Sequence, residues 1–346
     1  MADTGPLVSI IVVTLNGREI LRRCLRSLAA QDYDQRETIL VDNGSTEDIR
    51  SLVQQEFPDV HLIRLSANCG FAAGNNAGIR AAQGAYVALI NNDAEASPCW
   101  IRSMVAAAES DPRIGAVASI ILDGNAPGVL DSCGVGVALD GMSRQAMMGR
   151  TPPVLTAPCD VLVPSGCACL FRRPALDEVG LFDESFFAYC EDTDLGLRLR
   201  RAGWRAVAAP GAVVTHYYSM TAGKYSLQKV FWVERNHTWM AVKNFPCMLL
   251  LVAPLATVWR YMVQAQVMLR RHGRLNRFVE HAGFLPVAWT ILRAQFAAAA
   301  GLPAAVAARW AFRARVRLGS IELCRLLFRF RLTARQIVLG EPDASH

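Results

Sequence analysis

Three motifs are missing from this 346-residue chain: a Cys-x-x-Cys pair, a Gly-x-Gly-x-x-Gly fingerprint and a Gly-x-x-x-x-Gly-Lys-Ser/Thr loop. The first absence leaves ten scattered cysteines with no zinc or disulfide framework, as expected of a reducing compartment. The other two remove the usual support for dinucleotide-dependent hydride transfer and for P-loop chemistry. No apolar leader precedes Leu7, so a cytosolic location is expected. No uninterrupted apolar run reaches the roughly 20 residues needed to cross a bilayer. Phe245 to Trp259 has 15 uncharged residues but contains Pro246 and Pro254, and the Ala-rich Ala294 to Ala308 holds Gly301-Leu302-Pro303. Lysine is absent from Phe245 onward, where fourteen arginines face four acids. That tail therefore carries +10 of a total of +6, and residues 1 to 244 carry −4.

The chain is rich in apolar residues, at 52% with mean hydropathy +0.22, and long enough for one large core with an appendage. Leu7 to Leu15 reads as a buried strand, and Leu21, Cys24, Leu25 and Leu28 recur at helical spacing. The alternation continues with strands at Thr38 to Val41, Val60 to Leu65 and Ala85 to Ile90, and with helices after Ser45 and from about Asn75. Repeated β-α-β predicts an α/β fold, a mostly parallel sheet with helices on both faces. A further helix is expected to start at Ser97-Pro98 and to stop at Asp111-Pro112, before a strand at Ile114 to Ile121. From Leu122 to Pro164 glycine and proline predict hairpins and loops. Order returns with a strand at Gly166 to Phe171, a short helix near Ala175, the segment Phe186 to Arg201 and a helix over Tyr225 to Asn244. Cys167 and Cys169, two apart on that strand, are expected to share a face as small core residues.

Chemistry concentrates where strands end. Ala85 to Ile90 runs straight into Asn91-Asn92-Asp93, which delivers a carboxylate to the carboxyl edge of the sheet, where α/β folds bind ligands. One Asp with two amides suits Mg²⁺ or Mn²⁺ shared with a ligand's phosphates; a polar turn is the plainer alternative. Val41-Asp42-Asn43-Gly44-Ser45-Thr46 ends the second strand, with Asp42 placed for a ribose or base edge and Ser45 or Thr46 for capping the next helix. Asn68 to Gly78 reads as a third loop on that edge, offering three glycines for close approach and amide donors. Together the loops outline a nucleotide-diphosphate pocket with a cation at Asp93. Glu191-Asp192-Thr193-Asp194 clusters three acids at a helix start, with Asp194 spaced to pair with Arg198. Mutual repulsion there can lift one carboxyl into the range of a general base. His216 closes the apolar run Ala212 to Thr215 and could complete the cation's ligands.

These motifs, taken in order with Arg235-Asn236, resemble the family 2 glycosyltransferases, and more narrowly their bacterial rhamnosyltransferase-like branch. The resemblance runs from about Val8 to Pro246. It implies a GT-A fold, Rossmann-like, over residues 1–244, with a nucleotide-sugar half (1–121), an acceptor half (122–244) and a helical, membrane-associating region (245–346). It implies Asp192 as catalytic base with Glu191 orienting the acceptor, and Asp93 and His216 on the metal, Mg²⁺ or Mn²⁺. Asn91 stands where relatives carry the first Asp of their Asp-x-Asp motif, which leaves Asp93 as the main carboxylate. Thr14, Asn16, Asp42, Asn43, Asn68, Gly70, Asn75, Asn91, Asn92, Gly166 and Arg235 become the candidates for substrate binding, with Gly166-Cys167-Ala168 along the acceptor. The Gln-x-x-Arg-Trp motif of processive members is missing, so non-processive transfer is expected.

The implied reaction is an inverting transfer of a sugar, rhamnose in the first instance, from a dTDP- or UDP-sugar to a polyprenyl-linked or cell-surface saccharide. A nucleotidyltransferase or a non-catalytic nucleotide-binding scaffold are the other readings; the first turn, Thr14 to Gly17, lacks the basic, glycine-rich loop expected of the former. Arginines at 309, 313, 315, 317, 325, 329 and 331 interleave with apolar residues, as in helices lying in an anionic lipid interface, with a packed basic face or self-association as alternatives. The expected place is thus the cytoplasmic face of the plasma membrane, peripherally bound and with oligomers possible through the C-terminal helices. Nucleic acid is not an expected partner, because the positive charge lies in an apolar tail.

Overall fold

The computed structural model describes residues 5–217, 226–270 and 274–339. Its first half alternates β1 (Val8–Thr14), α1 (Arg18–Ala29), β2 (Arg36–Asp42), α2 (Ile49–Glu56), β3 (His61–Arg64), α3 (Gly70–Ala81) and β4 (Tyr86–Asn91). All three pairings among these strands are parallel, in the order β3-β2-β1-β4. Both faces of β1 are buried, as its unbroken apolar run requires. Val8, Ile10 and Val12 pack with α1 and α2, while Ile11 packs with α3 on the other side.

The sheet continues through β5 (Ala94–Ala96), α4 (Trp100–Glu109) and β6 (Ile114–Asp123). The Gly/Pro-rich stretch supplies β7 (Leu130–Cys133), β8 (Val135–Val137), β9 (Ser143–Gln145) and β10 (Cys159–Asp160). Next come β11 (Ala168–Arg172), α5 (Arg173–Val179), a 3-10 turn at Glu184–Phe186, α6 (Glu191–Arg201) and β12 (Arg205–His216). β11 inserts antiparallel between β4 and β6, and β12 pairs parallel with β6. Because of that one reversal, the start of β11 lies on the same sheet edge as the ends of β1, β2, β4, β6 and β12. Thr14, Asp42, Asn91, Gly166 and His216 all converge on this edge.

The remaining helices are α7 (Leu227–Asn244), α8 (Cys247–Leu269), α9 (Arg274–Ala282), α10 (Phe284–Ala311), α11 (Ser320–Arg329) and α12 (Ala334–Leu339), with a 3-10 turn at Arg313–Arg315. They are fastened to one another and, through Asp140, to the α/β core. Trp239 Nε1 of α7 donates to the Ala298 carbonyl of α10 at 2.9 Å. Arg260 of α8 is buried, forking onto Glu234 of α7 at 2.9 and 3.0 Å and reaching Asp140 at 2.6 Å. A buried fork like this fixes one docking geometry, because losing either partner would strand a charge.

Several local expectations are corrected. Asn68 to Gly78 is mostly helix, since α3 starts at Gly70. The weak propensity of its glycines is overridden by packing: a Cβ on Gly78 would lie 2.5 Å from Ile11 Cγ2 of β1. α4 starts at Trp100, whose amide bonds the Ser97 carbonyl, and its cap is Cys99, two residues after the expected Ser97. α2 is capped by Asp48, whose Oδ1 accepts from Ser51 N at 3.0 Å, and not by Ser45 or Thr46. Tyr225, where the α7 helix was expected to begin, lies outside the described residues. Cys167 and Cys169 do not share a face, because the strand begins only at Ala168: Cys169 packs on the α3 side, and Cys167 on the α1 side.

The tail also departs from the charge-based reading. Arg309 donates to the Val242 and Phe245 carbonyls, Arg317 pairs with Glu178 at 2.7 Å and Arg329 with Asp160 at 3.4 Å, so these three hold the tail to the core. The helices are longer than the uncharged runs suggested. α8 has 23 residues and admits Pro254 in its interior. Cys247–Leu269 and Phe284–Arg315, with mean hydropathy 1.4, match a membrane span in length and composition.

Candidate active site

Three groups of contacts assemble the sheet edge. Asn16, at φ 62°, accepts from Thr46 N at 2.8 Å and Glu47 N at 3.2 Å, while its own amide donates to Ser45 Oγ. It thereby locks the first strand-to-helix turn onto the second. Asp42 Oδ1 accepts from Ser45 N at 2.8 Å, and its Oδ2 lies 3.5 Å from Arg64. Asn43 is clamped to the head of α3. Its Nδ2 donates to Asn68 Oδ1 and the Gly70 carbonyl, both at 3.1 Å, and its Oδ1 accepts from Cys69 N. Asn92 Nδ2 donates to Thr14 Oγ1 at 2.9 Å, which fixes the turn that presents Asp93.

Asp93 and His216 meet across this turn. His216 Nε2 lies 3.2 Å from Asp93 Oδ1, and Nδ1 lies 2.9 Å from Oδ2 of Asp131, a buried carboxylate on β7. The Cys167 thiol is within hydrogen-bonding reach of the same ring. Burial works against an imidazolium, but Cys167 and the two carboxylates outweigh it and raise the ring's pKa above its ordinary value. A site that draws positive charge in this way fits a cation. Asp131 would orient the imidazole from behind, leaving Nε2 and Asp93 facing the ion. Among the described residues no group of three or more His, Cys, Asp or Glu side chains encloses an ion, so an ion here would need ligand oxygens or water to complete its shell.

Asp192 stands at the first turn of α6. Its Oδ2 accepts from Gly166 N at 2.9 Å, and its Oδ1 accepts from the amide and hydroxyl of Thr193 at 2.6 and 3.1 Å. Burial raises its pKa, and these donors only partly offset the effect. Glycine at 166 suits this contact, since a Cβ there would sit tightly, 3.2 Å from Asp192 Cβ and 3.3 Å from Phe71 Cζ. Glu191 is buried and its Oε2 has no hydrogen-bond partner; burial first, and Asp192 second, push its pKa well above the usual carboxylate range. Asp194 does structural work, as its spacing predicted. It bonds Arg198 at 2.9 Å, Lys243 at 3.0 Å and Asn244 at 2.8 Å, anchoring α6 to α7. Glu191 and Asp192 line a cavity of about 340 Å³ bounded by α6, α7, α8, α9 and α12 and by the β8–β9 hairpin.

The backbone leading into Asp192 is strained: Phe187, Tyr189 and Cys190 all have φ of 65–70°. Asn236 holds it there, with Nδ2 within 3.0 Å of the Phe186, Ala188 and Tyr189 carbonyls. Arg235 adds bonds to the Ser185 and Phe186 carbonyls. Arg235 is therefore engaged in bracing this loop, and Asn75 is buried with its amide on the Phe71 carbonyl inside α3. The structure does not bring these two to the converging edge as it does the other candidates.

Over residues 9–180 the chain matches the model for glycosyl transferase family 2. It is 32% identical over 247 residues to an N-acetylglucosaminyl-diphospho-decaprenol L-rhamnosyltransferase of Mycobacterium tuberculosis, an alignment covering 65% of this chain and 79% of that protein. The chain belongs to glycosyltransferase family 2.

The fold agrees. A mannosyltransferase from Pyrobaculum calidifontis, solved with GDP-mannose and Mn²⁺, superposes with a TM-score of 0.55 at 19% identity, covering 91% of this chain and 87% of the other. GalNAc-T7, solved with UDP, GalNAc and Mn²⁺, gives 0.56 at 17% identity over 70% of this chain and 51% of its own. The mostly parallel sheet with its inserted antiparallel strand is thus the GT-A architecture of a family 2 glycosyltransferase. Asp131 and the orienting role of Asn236 escaped the reading of this family member's sequence. Asp131 lies in a short strand with no motif around it, at the point where the register against β6 shifts between the Ser132 and Leu130 pairings, and only the tertiary fold brings it to His216.

Proposed function

We propose that this family 2 glycosyltransferase moves a single sugar, rhamnose in the first instance, from a nucleoside diphosphate to a hydroxyl of a lipid-linked saccharide, with inversion. The observation that carries the reading is Asp192, a half-buried carboxylate held by Gly166 and Thr193 at the wall of a cavity, beside the sheet edge that also gathers Asp42, Asp93 and His216. Asp192 takes the acceptor's proton as its oxygen attacks the anomeric carbon from the face opposite the diphosphate, so one base suffices and no covalent sugar intermediate forms. Glu191 lines the same cavity and orients the acceptor. Asp93 and His216 would hold a divalent cation, Mg²⁺ or Mn²⁺, which when bound would supply positive charge against that growing on the leaving diphosphate. Asp42 and the Asn43-clamped head of α3 bound the nucleoside end. The rhamnosyl donor and lipid-linked acceptor follow the printed function of the mycobacterial relative.

The test is a panel of nucleotide sugars offered with a lipid-linked N-acetylglucosaminyl acceptor. Transfer from dTDP-rhamnose above that from UDP-sugars, with one sugar added and the anomeric configuration inverted, is the expected result. A new nucleotide with released diphosphate would indicate a nucleotidyltransferase. Nucleotide binding with no product would indicate a scaffold.

The tail's outer surface supports membrane contact. Leu251, Leu255, Leu285 and Phe296 are 71–81% exposed on α8 and α10, far more apolar surface than a solvated helix pair normally shows. The chain is proposed to sit peripherally on the cytoplasmic face. Full-length protein should co-sediment with anionic vesicles, and Leu255→Asp with Leu285→Asp should release it. Unchanged co-sedimentation, or an oligomer in solution that the double variant dissolves, would assign that surface to something other than lipid.

A further inference from the structure

A short stretch of α7 touches the loop before Asp192 on one side and the tail on the other. Arg235 and Asn236 hold that strained loop through the carbonyls of Ser185, Phe186, Ala188 and Tyr189. The two are linked, since Arg235 Nε donates to Asn236 Oδ1 at 2.8 Å and so fixes which way the amide points. The Arg235 guanidinium in turn lies over the indole of Trp239, one turn further along, 4.3 Å from the ring centroid. Phe186, fully buried at the head of the loop, meets the same indole edge to face at 6.2 Å. Trp239 thus touches the support of the loop twice. From the other side the indole is fixed by α10. Its Nε1 donates to the Ala298 carbonyl, and the ring lies against Gly301, where a Cβ would come within 2.3–2.6 Å of three indole atoms. Glycine inside a helix is unfavourable by propensity, and here it opens the notch that takes the ring.

We propose that Trp239 is a positioning residue for sugar transfer: seated in the Gly301 notch of α10, it holds Arg235 and Phe186, and through them the loop that aims Asp192. The inference rests on Asp192 being the base, but its own content is that a helix of the tail is part of what aims it. Phe187, Tyr189 and Cys190 all carry side chains in left-handed backbone, a conformation that relaxes unless its surroundings hold it. Relaxation would turn the start of α6 and draw the Asp192 carboxylate off the Gly166 and Thr193 donors. A displacement of about 1 Å at a reacting group can cost ~10²-fold in rate. None of the contacts from α10 to this loop involves Asp42, Asp93 or His216, so donor binding is spared. α10 also carries the exposed Leu285 and Phe296, which makes the surface proposed to meet lipid and the support of the base one helix.

The test is steady-state sugar transfer by the full chain carrying Gly301→Ala, which adds one methyl group against the indole. Alanine is the better helix former, so by propensity alone this change strengthens α10. Even so, kcat should fall roughly tenfold, with donor KM and nucleotide affinity at wild-type values. The acid limb of kcat/KM should move to higher pH, because the Gly166 and Thr193 donors lower the Asp192 pKa and weaken as the carboxylate shifts. Trp239→Phe, a smaller ring without the Nε1 donor, should lower kcat severalfold by itself. Combined with Gly301→Ala it should lose less than the two single losses multiplied, since the smaller ring makes room for the methyl group. On an Asp192→Asn background Gly301→Ala should cause no further loss. Unchanged kcat and acid limb in Gly301→Ala, or losses that multiply in the double variant, would overturn the assignment. So would a Gly301→Ala chain that melts early and loses nucleotide binding together with turnover, because the contact would then only support the fold. The reading of the base is tested apart from this. Asp192→Asn with wild-type turnover would sink the base itself, whereas an impaired Asp192→Asn beside an unaffected Gly301→Ala would sink only the role of Trp239.

Discussion

Asp192→Asn should lower kcat for sugar transfer by roughly 10²- to 10⁴-fold, the usual contribution of a positioned general base, while donor nucleotide affinity stays at the wild-type value. The substitution keeps shape and at least one of the bonds to Gly166 and Thr193, but removes the lone pair that accepts the proton. The pH profile gives a second readout. Burial raises the Asp192 pKa, so the acid limb of kcat/KM should lie above the ordinary Asp range, with activity lost as pH falls through it. Stability runs the other way. A carboxyl whose folded pKa exceeds its unfolded one binds more protons when folded, so it stabilises at low pH and loses that contribution as pH rises through the folded pKa. Asp192→Asn should therefore unfold at the same or a higher temperature than wild type at neutral pH. A variant that retained wild-type turnover would exclude Asp192 as the base; one that lost nucleotide binding and melted early would make it a structural carboxylate.

What the sequence discloses about this site follows the physics of each signal. Buried parallel strands are unbroken apolar runs, so β1, β2 and β4 and the polar residues at their carboxyl ends stand out. A chemistry-bearing residue at such an end needs no long-range information to be found, and Asp42, Asp93 and His216 were legible for that reason. Asn68 to Gly78 misled because glycine and asparagine read as loop, whereas here they let α3 lie close against β1 and clamp Asn43. Asp131 and Gln264 left no local trace. One meets His216 from the irregularity where β7 shifts register against β6, and the other reaches the cavity through the docking of α8 by Arg260. The arginines after residue 308 were readable as charge but not as partners: a guanidinium against a backbone carbonyl and one facing lipid phosphate look alike in a sequence.

Asp93→Ala should abolish the stimulation of donor-nucleotide binding by Mn²⁺, and transfer with it. Asn91→Ala and Asn92→Ala should do much less, because Asn92 Nδ2 is spent on Thr14 and neither amide brings a charge. Asp131→Asn separates orientation from ligation. It leaves Asp93 and the imidazole in place but weakens the 2.9 Å contact that turns Nε2 toward Asp93. Outer partners of this kind are typically worth ~10–100-fold in metal affinity, so Mn²⁺ affinity in the nucleotide complex should fall by about that much, less than for Asp93→Ala. Titrating Mn²⁺ by electron paramagnetic resonance with nucleoside diphosphate present, and without any sugar transfer, reads this order directly. Equal losses for Asp93→Ala and Asn92→Ala would make the triplet a structural turn, with no ion held there. Mn²⁺ affinity untouched by Asp131→Asn would leave His216 positioned by Cys167 and the strand alone.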